Sequence, residues 1–185
     1  MAVTEELYRQ VVLADPEGRW ELHRGRLREK PPMSAEHGHV LDELAASLYG
    51  QIDRRTYRIR IDHGRIARTD ESHYIPDLYV IEATRVTAAR QRGEPFETYR
   101  DPLPLVVEVW SPSTGAYDVD EKIPEYQRRG DLEIWRFHPF ERTLKGWRRQ
   151  ADGTYEEFLL SHGIVEPIAL PGVRIDLDAL FGDQP

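Results

Sequence analysis

Three carboxylates lie at positions where acidic side chains are usually avoided. Glu108 is inside the apolar segment 105–110, which has the composition of a strand buried on both faces, and an unpaired carboxylate there would be costly. Asp77 stands directly before another apolar strand, 78–81, and Glu21 lies in a predicted hairpin near the N-terminus. If neighbouring strands bring these acids to one edge of a sheet, they repel one another unless a divalent cation joins them. Because the chain has no cysteine, oxygen ligands predict Mg²⁺ or Mn²⁺.

A lysine follows these acids at a spacing that could complete a hydrolytic site. Lys122 lies 14 residues after Glu108, on the next predicted helix, and four residues before Tyr126. Its ammonium group could orient a water molecule, help lower the pKa of that water and neutralise charge on a phosphate during displacement. Each residue alone also has a simpler interpretation. Glu108 could pair with a buried arginine, Asp77 could cap a strand entrance, and Lys122 could belong to a solvated helix face. The combination favours a functional site.

The elements that must position these residues follow from the pattern of apolar residues, caps and turns. Thr4 is predicted to cap a first helix that ends near Ala14, and Ser34 to cap a long helix with apolar residues at helical spacing. Residues 118–129 predict another helix, with Pro124 in its first turn or kinking it. The predicted strands are 20–24, 26–29, 57–62, 65–68, 78–82, 105–110, 132–137, 143–150 and 155–160. The third and fourth of these are predicted to form a hairpin. This order predicts one α/β or α+β domain over residues 1–185, with a mixed sheet between helices.

The charge of the chain excludes some classes of function and leaves one basic segment of interest. A net charge of −8 argues against a protein that coats nucleic acid or an anionic membrane through bulk charge. Residues 54–68 nevertheless carry six arginines against one aspartate. Arg54, Arg55, Arg58 and Arg60 are therefore candidate contacts to a phosphate backbone. The alternative is a solvated strand face, because apolar and charged residues alternate here at the period of a half-buried strand.

Two further features of the sequence concern the location of the protein in the cell and its lysine residues. No apolar run approaches the length of a membrane span, and no basic-then-apolar leader begins the chain, so a cytoplasmic protein is expected. Lysine is rare, with only Lys30, Lys122 and Lys145 among 25 basic residues. The surroundings of each lysine are therefore of interest.

Several segments, in order along roughly residues 15–182, resemble the Uma-two family of restriction-endonuclease-like proteins, a bacterial branch of the PD-(D/E)xK nuclease superfamily. The most specific part is the EVWSPST segment at 108–114, followed by the D-xxx-K-xxx-Y pattern of Asp118, Lys122 and Tyr126. The other matching segments are WELHRGRL at 20–27, MSAEHGHV at 33–40, PDL at 76–78 and residues 130–139.

The resemblance implies a restriction-endonuclease-like core with a mixed β-sheet flanked by α-helices. It also implies that Asp77 and Glu108 are metal ligands. By the same implication Lys122 is the catalytic lysine and Glu21 an accessory acid. The main-chain carbonyl of Val109 is a candidate third ligand in a metal-dependent enzyme. His37 and Tyr126 are candidate accessory residues, and packing beside the site is the favoured role for His37. One departure matters: the superfamily usually places a lysine two residues after the strand glutamate, where this chain has Trp110. Lys122 would have to supply that amine from the helix.

These observations leave more than one function open. The first is a Mg²⁺- or Mn²⁺-dependent endonuclease that hydrolyses phosphodiester bonds of DNA, for which a homodimer would allow both strands to be cut. The second is a non-catalytic module that binds nucleic acid or protein on a nuclease fold, because a fold does not fix a function. A third is metal-assisted hydrolysis of another phosphoester, such as RNA or a nucleotide.

Overall fold

The computed structural model describes residues 2–93 and 96–182. Within them the chain forms six α-helices, one π-helical turn and thirteen strands. The helices are α1 (Glu5–Ala14), α2 (Ala35–Gln51), α3 (Ala83–Gln91), α4 (Gly115–Tyr117), α5 (Ile123–Arg129) and α6 (Leu177–Phe181), and the π turn is Asp118–Lys122. The strands are β1 (Trp20–His23), β2 (Arg26–Glu29), β3 (Tyr57–Ile61), β4 (Arg65–Thr69), β5 (Ser72–Tyr74), β6 (Leu78–Glu82), β7 (Thr98–Tyr99), β8 (Leu105–Val109), β9 (Glu133–His138), β10 (Thr143–Arg149), β11 (Tyr155–Leu160), β12 (Ile164–Val165) and β13 (Ile175–Asp176).

Helix starts and most strands agree with the sequence predictions. The Thr4 hydroxyl accepts a hydrogen bond from the Leu7 amide, and the Ser34 hydroxyl accepts one from the His37 amide, as expected for N-caps. The helix predicted over 118–129 is present, but its first five residues form the π turn before α5 begins. Pro124 lies in the first turn of α5, where its missing N–H costs no hydrogen bond.

A six-stranded mixed sheet forms the centre of the fold, in the order β11-β10-β9-β8-β6-β3. Strands β8 and β9 are parallel, and the other neighbours are antiparallel. One face packs on α2 through a core that includes Leu44 and Val107. The opposite face carries Val106 and Ile134, which pack with Tyr126 of α5 and Tyr74 of the second sheet. The fold class predicted from sequence, helices around a mixed sheet, is confirmed.

The second sheet has five strands in the order β2-β1-β5-β4-β7 and was not separated from the first in the sequence prediction. The hairpin predicted for residues 57–62 and 65–68 is wrong. Strand β3 pairs with β6 in the six-stranded sheet, whereas β4 pairs with β5 and β7 in the five-stranded sheet. Asp62 and Gly64 both have positive φ angles, of 53° and 71°, and they turn the chain from one sheet to the other. Strand β5, which the sequence did not predict, supplies the antiparallel partner of β4.

Candidate active site between the two sheets

Asp77 and Glu108 face each other on adjacent strands of the six-stranded sheet. Leu78 of β6 pairs with Val107 of β8, and this antiparallel register, continued by one residue, sets Asp77 opposite Glu108. Residues opposite each other in such a pair have Cβ atoms about 5 Å apart. Glu108 shares its face with Val106, toward the second sheet, and both acids are only 1% exposed. The convergence of these two acids at one edge, expected from sequence, is present in the structure.

The side chain of Lys122 extends from the π turn to Glu108 of the six-stranded sheet. It also contacts Glu21 of the second sheet. Its Nζ lies 2.9 Å from Glu108 Oε1 and 3.2 Å from Glu21 Oε1. The same nitrogen is 3.8 Å from Asp118 Oδ1, four residues earlier. Glu21 is further fixed by the amide of Ile75, which donates to its Oε1 at 2.8 Å. Glu108 therefore pairs with a lysine, and not with the buried arginine considered from sequence.

A second buried lysine, which the sequence reasoning did not place in the site, pairs with Asp77. Lys30 Nζ lies 2.6 Å from Asp77 Oδ1 and 2.6 Å from Asp62 Oδ1, and it donates to the carbonyl oxygen of Ile75 at 3.2 Å. Lys30 is the residue after β2, and Asp62 is the residue after β3. The rarity of lysine was the one signal in the sequence that could have singled it out.

Three further groups fix the two central carboxylates. His37 Nε2 lies 3.0 Å from Asp77 Oδ2, and the amide of Val109 donates to the same oxygen at 2.6 Å. Tyr126 OH donates to Glu108 Oε1 at 2.5 Å. His37 and Tyr126 thus lie beside the site as hydrogen-bond partners of the acids. The main-chain carbonyl of Val109 stays a predicted ligand, next to Asp77.

The burial and charge of these groups move their pKa values in opposite directions. Burial raises the pKa of Glu108 well above its usual range, against the opposing charge of Lys122. Burial would also raise the pKa of Asp77, but the charge of Lys30 and the hydrogen bond of His37 outweigh it and hold that pKa below its usual range. Burial would lower the pKa of Lys122, yet Glu108 and the other carboxylates raise it well above its usual range. Lys122 is therefore a permanent cation, and Asp77 a permanent anion, at neutral pH.

The charges of the site fit a divalent cation. Four buried carboxyl groups outnumber two buried ammonium groups there: Glu21, Asp77, Glu108 and Asp118 against Lys30 and Lys122. Burial raises the pKa of Glu108 and of Asp118, and a bound cation would favour the ionised forms of both. In the described parts of the chain, no three His, Asp or Glu side chains are grouped so as to hold an ion by themselves. Two carboxylates and a carbonyl would leave positions for water, and Mg²⁺ usually keeps several water ligands.

The arginines proposed as phosphate contacts are not brought to this site. Arg54 and Arg55 precede β3, whose first residue pairs with Glu82, five residues along β6 from Asp77. That distance is about 16 Å along a strand. Arg60 lies closer, but its guanidinium is paired with Glu97 at 2.9 Å. Contacts to nucleic acid by these residues, Arg58 included, remain a prediction.

The fold defines a class of protein, the α+β proteins with a restriction-endonuclease-like core. The crystal structure of a protein described as "a putative nuclease belonging to DUF820 from Anabaena variabilis ATCC 29413" shares this fold. It has a TM-score of 0.78 and 20% sequence identity, and the match covers 97% of each chain. The model of the Uma2 family, described as "Putative restriction endonuclease", matches residues 4–178, so this chain belongs to that family. A search of curated proteins found no match. None of the helices in residues 2–93 and 96–182 is long and apolar enough to cross a membrane.

Proposed function

We propose that this protein is a Mg²⁺- or Mn²⁺-dependent endonuclease that hydrolyses phosphodiester bonds of DNA. Family membership and the nuclease fold support the reaction class. The observation that carries the proposal is the buried pair of Asp77 and Glu108 with Lys122 beside it, in a site where buried carboxyl groups outnumber ammonium groups. Buried acids whose pKa values are shifted in opposite directions by burial and by neighbouring charges are typical of catalytic sites.

Different residues of the chain have different roles in the proposed reaction. Asp77, Glu108 and the Val109 carbonyl would hold the ion, which when bound neutralises charge on the phosphate and makes water a better nucleophile. Lys122 keeps its protons, so it acts as a cation and hydrogen-bond donor toward a phosphate oxygen or the attacking water. Glu21 of β1 and Asp118 of the same π turn hold that ammonium in place.

Metal binding and cleavage test this proposal together. Calorimetric titration of the metal-free protein with Mn²⁺ should give one binding event that is absent from the Asp77→Asn variant. Cleavage of supercoiled plasmid should require Mg²⁺ or Mn²⁺ and should be lost in Asp77→Asn and Glu108→Gln. Metal-dependent cleavage that is unchanged in both variants would contradict the assignment of the site. Linear duplex, single-stranded DNA and RNA substrates, used in parallel, decide the substrate class.

One observation favours a second candidate, a non-catalytic module that binds nucleic acid or protein. Lys30 and Lys122 both pair with the carboxylates, and the four groups are nearly inaccessible to solvent. Two buried ion pairs of this kind could have a purely structural role, with no part in catalysis. Absence of Mn²⁺ binding at millimolar concentrations would favour the module over the enzyme. Sedimentation of the protein alone and with DNA would test the proposed homodimer in either case.

A further inference from the structure

A cluster of aromatic rings lies at the end of the strand that carries Glu108. The ring of Trp110 stacks on His138 with centroids 4.3 Å apart and an interplanar angle of 24°. Phe140 meets Trp110 edge-on, at 5.7 Å between centroids, and its side chain is 54% exposed. The amide of Glu141 donates to Nδ1 of His138 at 3.1 Å, which fixes the orientation of the imidazole ring. A preformed, partly exposed aromatic surface is thus available to a ligand.

This aromatic surface continues the face on which the carboxylates lie. Trp110 is two residues after Glu108, and its amide donates to the carbonyl of Phe137, so that the pairing with β9 continues past the end of β8. Side chains two residues apart point to the same face of a sheet. Glu108 pairs with Arg136, and His138 follows Arg136 by two residues on β9. Trp110 is therefore about 7 Å along the backbone from Glu108, on the same face.

Arg136 adds a cation beside Glu108, on the neighbouring strand and two residues before His138. Its Nε is buried, and no described residue accepts a hydrogen bond from it. A buried guanidinium nitrogen without an acceptor is costly, and a phosphate oxygen is a fitting partner for it. The face thus presents a carboxyl group and a guanidinium side by side, with aromatic rings two residues further along the strands. A nucleic-acid strand carries phosphates and flat bases at a comparable spacing.

We propose that Trp110, His138 and Phe140 form a stacking surface for one base of the substrate strand, next to the phosphate that is cleaved. Arg136 contacts the neighbouring phosphate. The inference rests on the proposed nuclease function and specifies its substrate: the face of a base inside a duplex is covered by its neighbours, so the base that stacks here is unpaired. The preferred substrate is therefore single-stranded, or a duplex with an unpaired base beside the cleaved bond. Stacking on aromatic side chains is tolerant of base identity.

Two ligands that carry the same number of phosphates, one with bases and one without, distinguish the contribution of base stacking to affinity from that of charge. The full-length protein is titrated, in chelator and at low salt, against a labelled oligothymidylate and an oligomer of the same length made only of abasic residues. Fluorescence anisotropy gives both affinities. The variants are Trp110→Leu and Phe140→Leu, and the matched control is Tyr49→Leu, which removes an aromatic ring that is 45% exposed at the far end of α2.

The proposal expects the protein to bind the oligothymidylate at least ten-fold more tightly than the abasic oligomer. Trp110→Leu and Phe140→Leu should each weaken oligothymidylate binding by about ten-fold and leave abasic binding unchanged, and Tyr49→Leu should change neither. Thermal unfolding verifies that each variant is folded. Phe140→Leu, at an exposed position, keeps the test valid if Trp110→Leu does not fold.

Several outcomes would overturn the inference. They are equal affinity of the protein for the two oligomers, no binding of oligothymidylate at all, or equal losses in Phe140→Leu and Tyr49→Leu. Failure of the proposed function is a separate result. A protein that binds bases through these rings but cleaves nothing in Mg²⁺ or Mn²⁺ would be a binding module, whereas metal-dependent cleavage without base-dependent affinity would refute only the stacking surface.

Discussion

The ammonium of Lys30 contacts Asp77 at 2.6 Å, so the acid expected to hold a metal ion is already paired with a buried cation of the chain. The pair joins the residue after β2, in one sheet, to the residue before β6, in the other. It therefore links the two sheets at the point where the site lies.

Replacement of this lysine should make the stability of the protein depend on metal. Lys30→Met leaves Asp77 as an uncompensated buried charge, and removal of one partner of a buried pair typically costs about 3 kcal/mol or more. Urea unfolding without metal should show that loss, and millimolar Mn²⁺ should recover much of it, because the ion replaces the missing charge. The control is Lys145→Met, which breaks an exposed pair with Glu157 and should cost under about 1 kcal/mol. Equal losses in the two variants would contradict the role given to Lys30.

Replacement of the two central acids by the corresponding amides, Glu108→Gln and Asp77→Asn, should change the free energy of unfolding by different amounts. Burial raises the pKa of Glu108, so the charge of this acid contributes less to folding than the charge of Asp77, and Glu108→Gln should change the free energy of unfolding by under about 1 kcal/mol. Asp77 is held as an anion by Lys30, so Asp77→Asn leaves that ammonium poorly paired and should cost about 2 kcal/mol or more. Both variants should lose cleavage. Chemical denaturation in chelator gives the comparison, and the reverse order of costs would refute this charge assignment.

Lys122 should affect turnover more than metal binding. Lys122→Met removes the cation beside Glu108 and Glu21, and loss of one such electrostatic contact typically lowers kcat by about 100- to 1,000-fold. Affinity for Mn²⁺, measured by calorimetry, should be unchanged or higher, because the ammonium no longer competes for the carboxylates. Loss of metal binding in this variant would instead give Lys122 a structural role.

Stability should fall in mild acid because of His73, which lies outside the proposed site. Burial, together with the charges of Arg100 and Arg65, lowers the pKa of His73 from 6.5 to about 4, although Glu5 lies 3.5 Å from its ring. The unfolded chain takes up a proton near pH 6.5 and the folded chain does not. The stabilisation is therefore complete above that pH and is lost as the pH falls toward 4, by up to about 3 kcal/mol. Urea unfolding of His73→Leu between pH 7 and pH 4 should show a correspondingly smaller fall than the original chain.

Binding of nucleic acid should depend on both metal and salt. The chain has a net charge of −8, and the site contributes several buried carboxyl groups, so affinity should be lower in chelator than in Mg²⁺. A bound divalent ion removes that repulsion, and the remaining contacts to phosphate make the affinity fall steeply with salt. Anisotropy titrations with the Lys122→Met protein, which keeps both central acids, in Mg²⁺ and in chelator, measure both effects. Equal affinity with and without Mg²⁺ would contradict the prediction.

The sequence predicted the core of the site because an acid in an apolar strand is conspicuous. Glu108 and Asp77 stand out from their neighbours, and the spacing to Lys122 places that lysine on the following helix. Lys30 was not recognised because its segment, between a polar hairpin and two prolines, has no periodic pattern. Its role depends on Asp62 and Asp77, which are distant in sequence and meet it only through the sheet pairing.

The errors in the predicted fold also come from contacts between residues that are distant in sequence. Alternation along 57–61 and 65–69 identified two strands correctly, but alternation does not state which strand each one pairs with. Helix α3 was not predicted because its buried residues are small: only Ala83, Val86 and Ala89 pack inward. The division into two sheets depends on pairings of this long-range kind, which local patterns do not contain.

Lys30 and Lys122 act as internal counter-ions of the buried acids, so we expect the folding of the chain not to depend on a bound metal ion. Proteins whose metal ligands have no other partner often unfold when the ion is removed. Here each of the two central acids has a resident ammonium partner, so the chain should remain folded, and resistant to proteolysis, in a cell depleted of Mg²⁺. For the proposed metal-dependent enzyme, scarcity of the ion would stop cleavage without shortening the lifetime of the protein, and cleavage would resume on resupply with no new synthesis.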